Sequence, residues 1–175
     1  MRVVLITGAP SIGKTSLGAW LLDELDEACA FLDGDSLAEY SPRNLIDRSA
    51  IVHDNLMVCA ANYAASGIET LIATHLFGPE DIARMQKEFR SQGHSALVLG
   101  LVAKDDALLE RAFRRYPENR NCEGCISMLR ETNAMVKAIP GITLVDTTNK
   151  SHDEVVSSVA VMLGAKQNQT ESANL

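Results

Sequence analysis

A chain of 175 residues, 46% hydrophobic and 22% charged, has the composition of an ordinary globular domain with a buried core, not of a disordered or membrane-embedded one. Its net charge of -7 disfavours non-specific attraction to nucleic acid or to an anionic membrane surface. No apolar run is long enough to span a bilayer, and four irregularly placed cysteines do not form a secreted disulfide framework, so reduced thiols and a cytoplasmic setting are expected.

Short apolar runs alternate with longer helical stretches, the pattern of a parallel sheet covered by helices on both faces. A first strand is predicted at residues 2–6, and a helix at 14–27 carries Leu17, Leu21 and Leu25 at helical spacing. A second strand at 28–32 runs into the acidic turn Asp33-Gly34-Asp35. Ser41 and Pro42 offer a cap and a first-turn proline for a short helix. An alanine-rich helix follows at 50–65, with Gly67 placed to close it. The third strand is 70–74, and a helix at 80–92 lies between Pro79 and Gly93. Residues 95–103 are almost uninterrupted Ala, Leu and Val, as expected of a central strand. Helices at 105–115 and 125–138 flank a polar break at 116–124. A fifth strand at 142–145 and a helix at 151–163 complete one domain over residues 1–164, leaving a polar tail at 165–175 that is expected to fray.

The sharpest signal follows the first strand. Gly8-Ala9-Pro10-Ser11-Ile12-Gly13-Lys14-Thr15 fits G-x-x-x-x-G-K-T without a gap. Glycines let the backbone wrap close to phosphates, and the helix starting at Lys14 adds its positive end. Lys14 would neutralise the β and γ oxygens of a nucleoside triphosphate, and the Thr15 hydroxyl would ligate magnesium. The binding set is therefore Gly8 to Thr15 with the adjacent Ser16.

Other features narrow the class. The guanine-reading Asn-Lys-x-Asp of a GTPase finds only Asn149-Lys150-Ser151-His152, which lacks the final acid. Strand three ends Thr74-His75 and supplies no carboxylate. The acids lie after strand two, at Asp33 and Asp35, where the carboxyl ends of parallel strands open on a common crevice. A carboxylate there can accept a hydroxyl proton and orient the oxygen for in-line attack.

The phosphate loop followed by Leu32-Asp33-Gly34-Asp35 resembles the small-molecule and nucleotide kinase group that includes adenylylsulfate kinase, gluconate kinase and chloramphenicol phosphotransferase. The resemblance in layout covers residues 2–163. It implies a P-loop NTPase fold, a three-layer α/β/α sandwich with a five-stranded parallel sheet and a small lid at about 111–125. It also implies ATP and Mg2+ as cofactors, and places Asp35 at the acceptor hydroxyl. The lid of such kinases carries arginines, here Arg111, Arg114, Arg115 and Arg120, whose planar cations suit adenine or phosphate. Arg115 is assigned to catalysis with Lys14 and Asp35, and Arg111 and Arg114 to the nucleotide.

Asp33, Arg43 and Arg48 join Asp35 as candidates for holding the acceptor, with His53, Asp54, Asn55 and His75 as minor ones. Thr148 and Asn149, after strand five, are weak candidates for the base edge, equally readable as a loop capping the last helix. Cys122 and Cys125 invite a zinc reading, but a closed site needs about four ligands and no second pair is near. The expected activity is transfer of the γ-phosphoryl group of ATP to a hydroxyl of a small molecule. Nucleoside monophosphate kinase, 5′-hydroxyl polynucleotide kinase and a non-catalytic nucleotide-binding module are the rivals.

Overall fold

The computed structural model describes residues 1–41 and 47–165. Five strands pair in the order β2-β3-β1-β4-β5, all parallel: β1 Arg2–Gly8, β2 Cys29–Asp33, β3 Thr70–Thr74, β4 Ser95–Val102 and β5 Thr143–Asp146. Between them run α1 Lys14–Glu24, α2 Arg48–Ala65, α3 Pro79–Ser91, α4 Asp105–Arg115 and α5 Glu123–Ala138, and α6 His152–Met162 follows β5. A 3-10 turn, Pro117–Asn121, links α4 to α5.

Alternate residues of each strand face opposite layers, as the twofold period of a strand requires. Val4, Ile6, Ile72, Leu99 and Leu101 join the core under α1, α4 and α6. Val3, Leu5, Leu71, Ala73 and Val98 join the core under α2 and α3, with Leu56, Met85 and Phe89. Burial on both faces explains why β1 and β4 read as continuous apolar runs.

Element ends differ from the expected ones for local reasons. The chain leaves α1 at Leu25, whose backbone is extended and whose side chain enters the core. That frees Glu27 from the helix to pair with Arg2 and to accept from the Thr70 hydroxyl. α2 begins at Arg48 because Asp47 caps it, accepting from the backbone N–H of Ser49 at 2.9 Å and of Ala50 at 3.3 Å. The earlier start brings Arg48 into the first turn, beside the acidic turn. The short helix expected after Ser41 falls on residues 42–46, outside the described residues, as does the tail from residue 166 onwards.

One structural expectation is corrected. Cys122 and Cys125 form a disulfide, whereas Cys29 and Cys59 carry free thiols. Cys122 caps α5, and the first helical turn brings Cys125 back over it with the two Cα atoms 5.2 Å apart, within bridging reach. Sulfurs joined in this way are not a pair of thiolate ligands. Among the described residues, no helix is long and apolar enough to cross a membrane.

Candidate active site

The crevice opens at the carboxyl ends of β1 and β3, where the connections after β1 and after β3 diverge to opposite sides of the sheet. β1 ends in Gly8, where an added Cβ would lie 2.9 Å from both the Leu101 carbonyl and Ile12 Cγ2. The loop can therefore turn against β4 only with a bare backbone at this point. Gly13 has φ 107°, a left-handed conformation that suits glycine, and α1 starts immediately after it. The free N–H groups of its first turn thus point into the crevice.

Lys14 Nζ donates to the carbonyls of Gly8 at 2.8 Å and Ala9 at 3.0 Å, closing the loop on itself. Burial pushes its pKa down to about 8; Asp35 and then Asp33 oppose that fall, and Arg115 adds to it. Anionic phosphates entering the loop would favour the charged ammonium again.

Ser11 has φ 63°, and its Oγ is buried without a hydrogen-bond partner. A left-handed serine costs on the order of 1 kcal/mol, and a buried hydroxyl without a partner adds to that. Strain of this kind persists where a site uses it. Replacing Ser11 with Gly is expected to raise the melting temperature by about 1–3 °C in a thermal scan. If the strained serine serves the nucleotide, the same change should weaken ATP-analogue binding. An unchanged affinity would mean that the strained serine does not serve the nucleotide.

β1 and β2 are not neighbours, since β3 lies between them. The acidic turn still reaches the loop, because the Thr15 hydroxyl donates to Asp33 Oδ2 at 2.8 Å. Asp33 Oδ1 accepts from the Asp35 backbone N–H at 3.0 Å, so one carboxylate links the loop threonine to the turn. Asp35 points outward and is met from α2 by Arg48, whose Nη2 lies 3.1 Å from Oδ1 and 3.3 Å from the backbone carbonyl. His75, the residue after β3, lies against the same carboxylate.

These groups line a cleft of about 870 Å³ with Arg115 and Tyr116, whose ring lies 5.2 Å from the Arg115 guanidinium carbon. A smaller lobe of about 190 Å³ continues past Ser11 and Ser16 towards Arg111, Thr147 and Lys150. Arg111 donates to Thr147 Oγ1 at 2.8 Å and to the Thr148 carbonyl at 3.3 Å, tying α4 to the loop after β5.

Not every candidate is brought to the cleft. Arg114 pairs with Glu110 one helical turn back, at 2.8 Å, and is absent from the cleft lining. His53 is buried between α2 and α3, with Asp54 and Glu88 each 3.1 Å from a ring nitrogen. Asn55 donates to the Leu37 carbonyl at 2.6 Å. Arg43 lies outside the described residues. In the smaller lobe, Thr147, Lys150 and His152 take the place expected for Thr148 and Asn149. Lys150 and His152 flank Ser151, the capping residue of α6, and that cap was the available sequence signal for them.

The donor set at Thr15 fits magnesium. A hydroxyl whose proton is taken by a carboxylate keeps lone pairs for a hard cation, and Mg2+ bound with a nucleotide draws its other ligands from phosphates and water. Among the described residues, no cluster of three His, Cys, Asp or Glu side chains forms a separate metal cage.

The fold is that of the P-loop kinases. The tunicamycin resistance protein of Deinococcus radiodurans superposes with a TM-score of 0.71 at 19% identity, over 94% of this chain and 96% of that one. A gluconokinase from Sinorhizobium meliloti 1021 gives 0.65 at 16% identity over 93% of each chain. Shikimate kinase from Aquifex aeolicus gives 0.62 at 16% identity, over 93% of this chain and 96% of that one. No protein-family model matches the chain. A protein from Janthinobacterium sp. (strain Marseille) described as a nucleotide-binding protein is 30% identical over 172 residues, covering 89% of this chain. The chain spans about half the length, 53%, of that curated relative.

Proposed function

We propose that the protein transfers the γ-phosphoryl group of ATP to a hydroxyl group of a small molecule. The observation that carries this reading is the placing of two carboxylates on one turn with different partners: Asp33 on the loop threonine, and Asp35 facing the open cleft as the foremost charge opposing the fall in the Lys14 pKa. ATP lies with its phosphates in the loop from Gly8 to Thr15 and its base in the lobe beside Arg111 and Thr147. Thr15, its hydroxyl fixed by Asp33, would hold Mg2+, which would supply positive charge to offset that of the nucleotide's phosphates.

The acceptor hydroxyl is held at Asp35. Its oxygen forms a bond to the γ phosphorus, the bond from that phosphorus to the β–γ bridging oxygen breaks, and ADP leaves with the electron pair. The acceptor proton passes to the Asp35 carboxylate. Lys14, and Arg115 from the lid side, stabilise the charge spread over the transferring group. Arg48 steadies Asp35 from α2.

A screen of hydroxyl compounds that measures ADP release is the test. Acceptor-stimulated turnover well above the rate in water supports the reading, and a screen in which no hydroxyl compound stimulates release contradicts it. A second reading, nucleotide binding without transfer, is equally compatible with a relative described only as a nucleotide-binding protein, and it predicts that flat screen.

The lid gives a separate prediction. Arg111 anchors the start of the lid to the loop after β5, and Asn133 of α5 anchors its far side to Ala103, the residue after β4, donating to its carbonyl at 2.8 Å and accepting from its N–H at 3.3 Å. The intervening 3-10 turn has no buried residue, so closure would move the segment between two fixed ends. Amide hydrogen exchange across Arg111–Cys125 should slow when an ATP analogue and an acceptor are both present. Equal protection in the free and doubly bound protein would make the segment a static surface turn.

A further inference from the structure

We infer that His75 is a positioning residue for Asp35, aiming its carboxylate at the acceptor through the imidazole Nδ1. The inference rests on the reading of Asp35 as the acceptor carboxylate.

Nδ1 of His75 is buried without a hydrogen-bond partner and lies 3.4 Å from Asp35 Oδ1. A buried ring nitrogen without a partner is uncommon, because burial strips its water and returns nothing. Here the nearby carboxylate is within reach of the ring nitrogen but out of line for a hydrogen bond, at the edge of an open cleft. A small turn of the carboxylate towards the ring makes the bond. Catalytic hydrogen bonds are often long in a free enzyme and tighten once the substrate is in place.

The turn is shaped around this ring. A Cβ on Gly34 would lie 2.7 Å from His75 Cβ and 2.8 Å from its Cγ, so the residue between the two acids has to be glycine for the turn to rest on the imidazole. The Gly34 N–H donates to the Thr74 carbonyl at 2.6 Å and the His75 N–H to the Ile6 carbonyl at 3.2 Å. The turn, β3 and β1 are thereby registered to one another at the histidine.

Two side chains meet Asp35 Oδ1, and they differ in stiffness. Arg48 is a long side chain, 45% exposed, in an ion pair with a carboxylate that is 72% exposed, and such pairs hold geometry weakly. His75 is 13% exposed and packs edge-on against Phe77, with ring centroids 5.6 Å apart. The imidazole is the rigid contact. Both contacts fall on Oδ1, which leaves Oδ2 for the acceptor hydroxyl.

The charges around the ring agree with this role. Burial lowers the His75 pKa; Asp35 and Asp33 oppose the fall, while Arg48 and Lys14 add to it. A neutral imidazole with its proton on Nδ1 donates to the carboxylate without adding a second cation beside Arg48.

The test uses the full chain in single-turnover reactions, enzyme in excess over Mg-ATP, with water as the acceptor and ADP formation as the readout. His75→Leu should slow ADP formation about tenfold to a hundredfold, the scale of a misplaced reacting group, with ATP-analogue affinity unchanged. His75→Asn, whose amide nitrogen stands near the place of Nδ1, should recover most of the rate. His75→Gln fills similar space but carries its amide near the place of Nε2. It should be as slow as Leu, and it replaces Leu if the apolar variant disturbs folding. In an Asp35→Asn background, His75→Leu should change the rate by less than about twofold, because residues acting through one another are not additive. Multiplying effects in the double variant, or equal slowing by Asn, Gln and Leu, would reduce His75 to a packing residue. Wild-type rates in Asp35→Asn alone would take Asp35 out of the reaction with water and overturn this inference, whereas the acceptor reading itself stands or falls on the hydroxyl screen.

Discussion

Replacing Lys14 with Ala should lower the turnover number by about 10²–10³ or more, the loss expected when a preorganised charge is withdrawn from a developing anion. The ammonium is held by the carbonyls of Gly8 and Ala9, inside the loop that would hold the phosphates. Its burial costs stability, as the pKa pushed down to about 8 records. Thermal stability should therefore be unchanged or slightly raised by the substitution, while ATP-analogue binding weakens. That combination, a dead enzyme with an intact fold, marks a residue kept for function. The measurements are steady-state ADP release, calorimetric titration with an ATP analogue and a thermal scan. Turnover at the wild-type rate would remove the phosphate-loop assignment.

Asp35→Asn should lower turnover with the best hydroxyl acceptor by about 10²–10⁴, the usual worth of general-base assistance. Size and hydrogen bonding are nearly retained, so ATP should still bind through the loop, where Asp33 and not Asp35 meets Thr15. A phosphate acceptor is already ionised and needs no base. For a nucleoside monophosphate, the same substitution should act on acceptor affinity and leave the turnover number nearly unchanged. Kinetics on both kinds of acceptor separate hydroxyl transfer from monophosphate transfer.

The layout was largely readable because it is written in short-range patterns. Continuous apolar runs gave the strands, helical spacing gave the layers, and Gly8 to Thr15 is an unbroken motif between a strand and a helix. What escaped depends on contacts between distant residues. The start of α2 turns on Asp47, one capping carboxylate among several polar residues ahead of the alanine-rich run. The division of labour between Asp33 and Asp35 arises because the turn rests on β3, which enters between β1 and β2 in space although it follows both in sequence. Arg111 and Arg114 look alike in sequence, three residues apart on one helix. Only the rotation of α4 about its axis sends one to Thr147 and the other to Glu110. His53 read as a pocket residue until α3 supplied Glu88 to cover it. The Cys122–Cys125 disulfide required knowing that α5 begins at Glu123, two residues before the expected start, so that Cys122 caps the helix and Cys125 lies in its first turn.

Phosphorus-31 magnetic resonance of a complete reaction tests the central claim most directly. With Mg-ATP and the best hydroxyl compound from the screen, the account predicts that the γ signal is replaced, one for one, by a phosphate monoester signal on the acceptor, with ADP as the coproduct. Inorganic phosphate as the sole new product, at a rate indifferent to the acceptor, would contradict it.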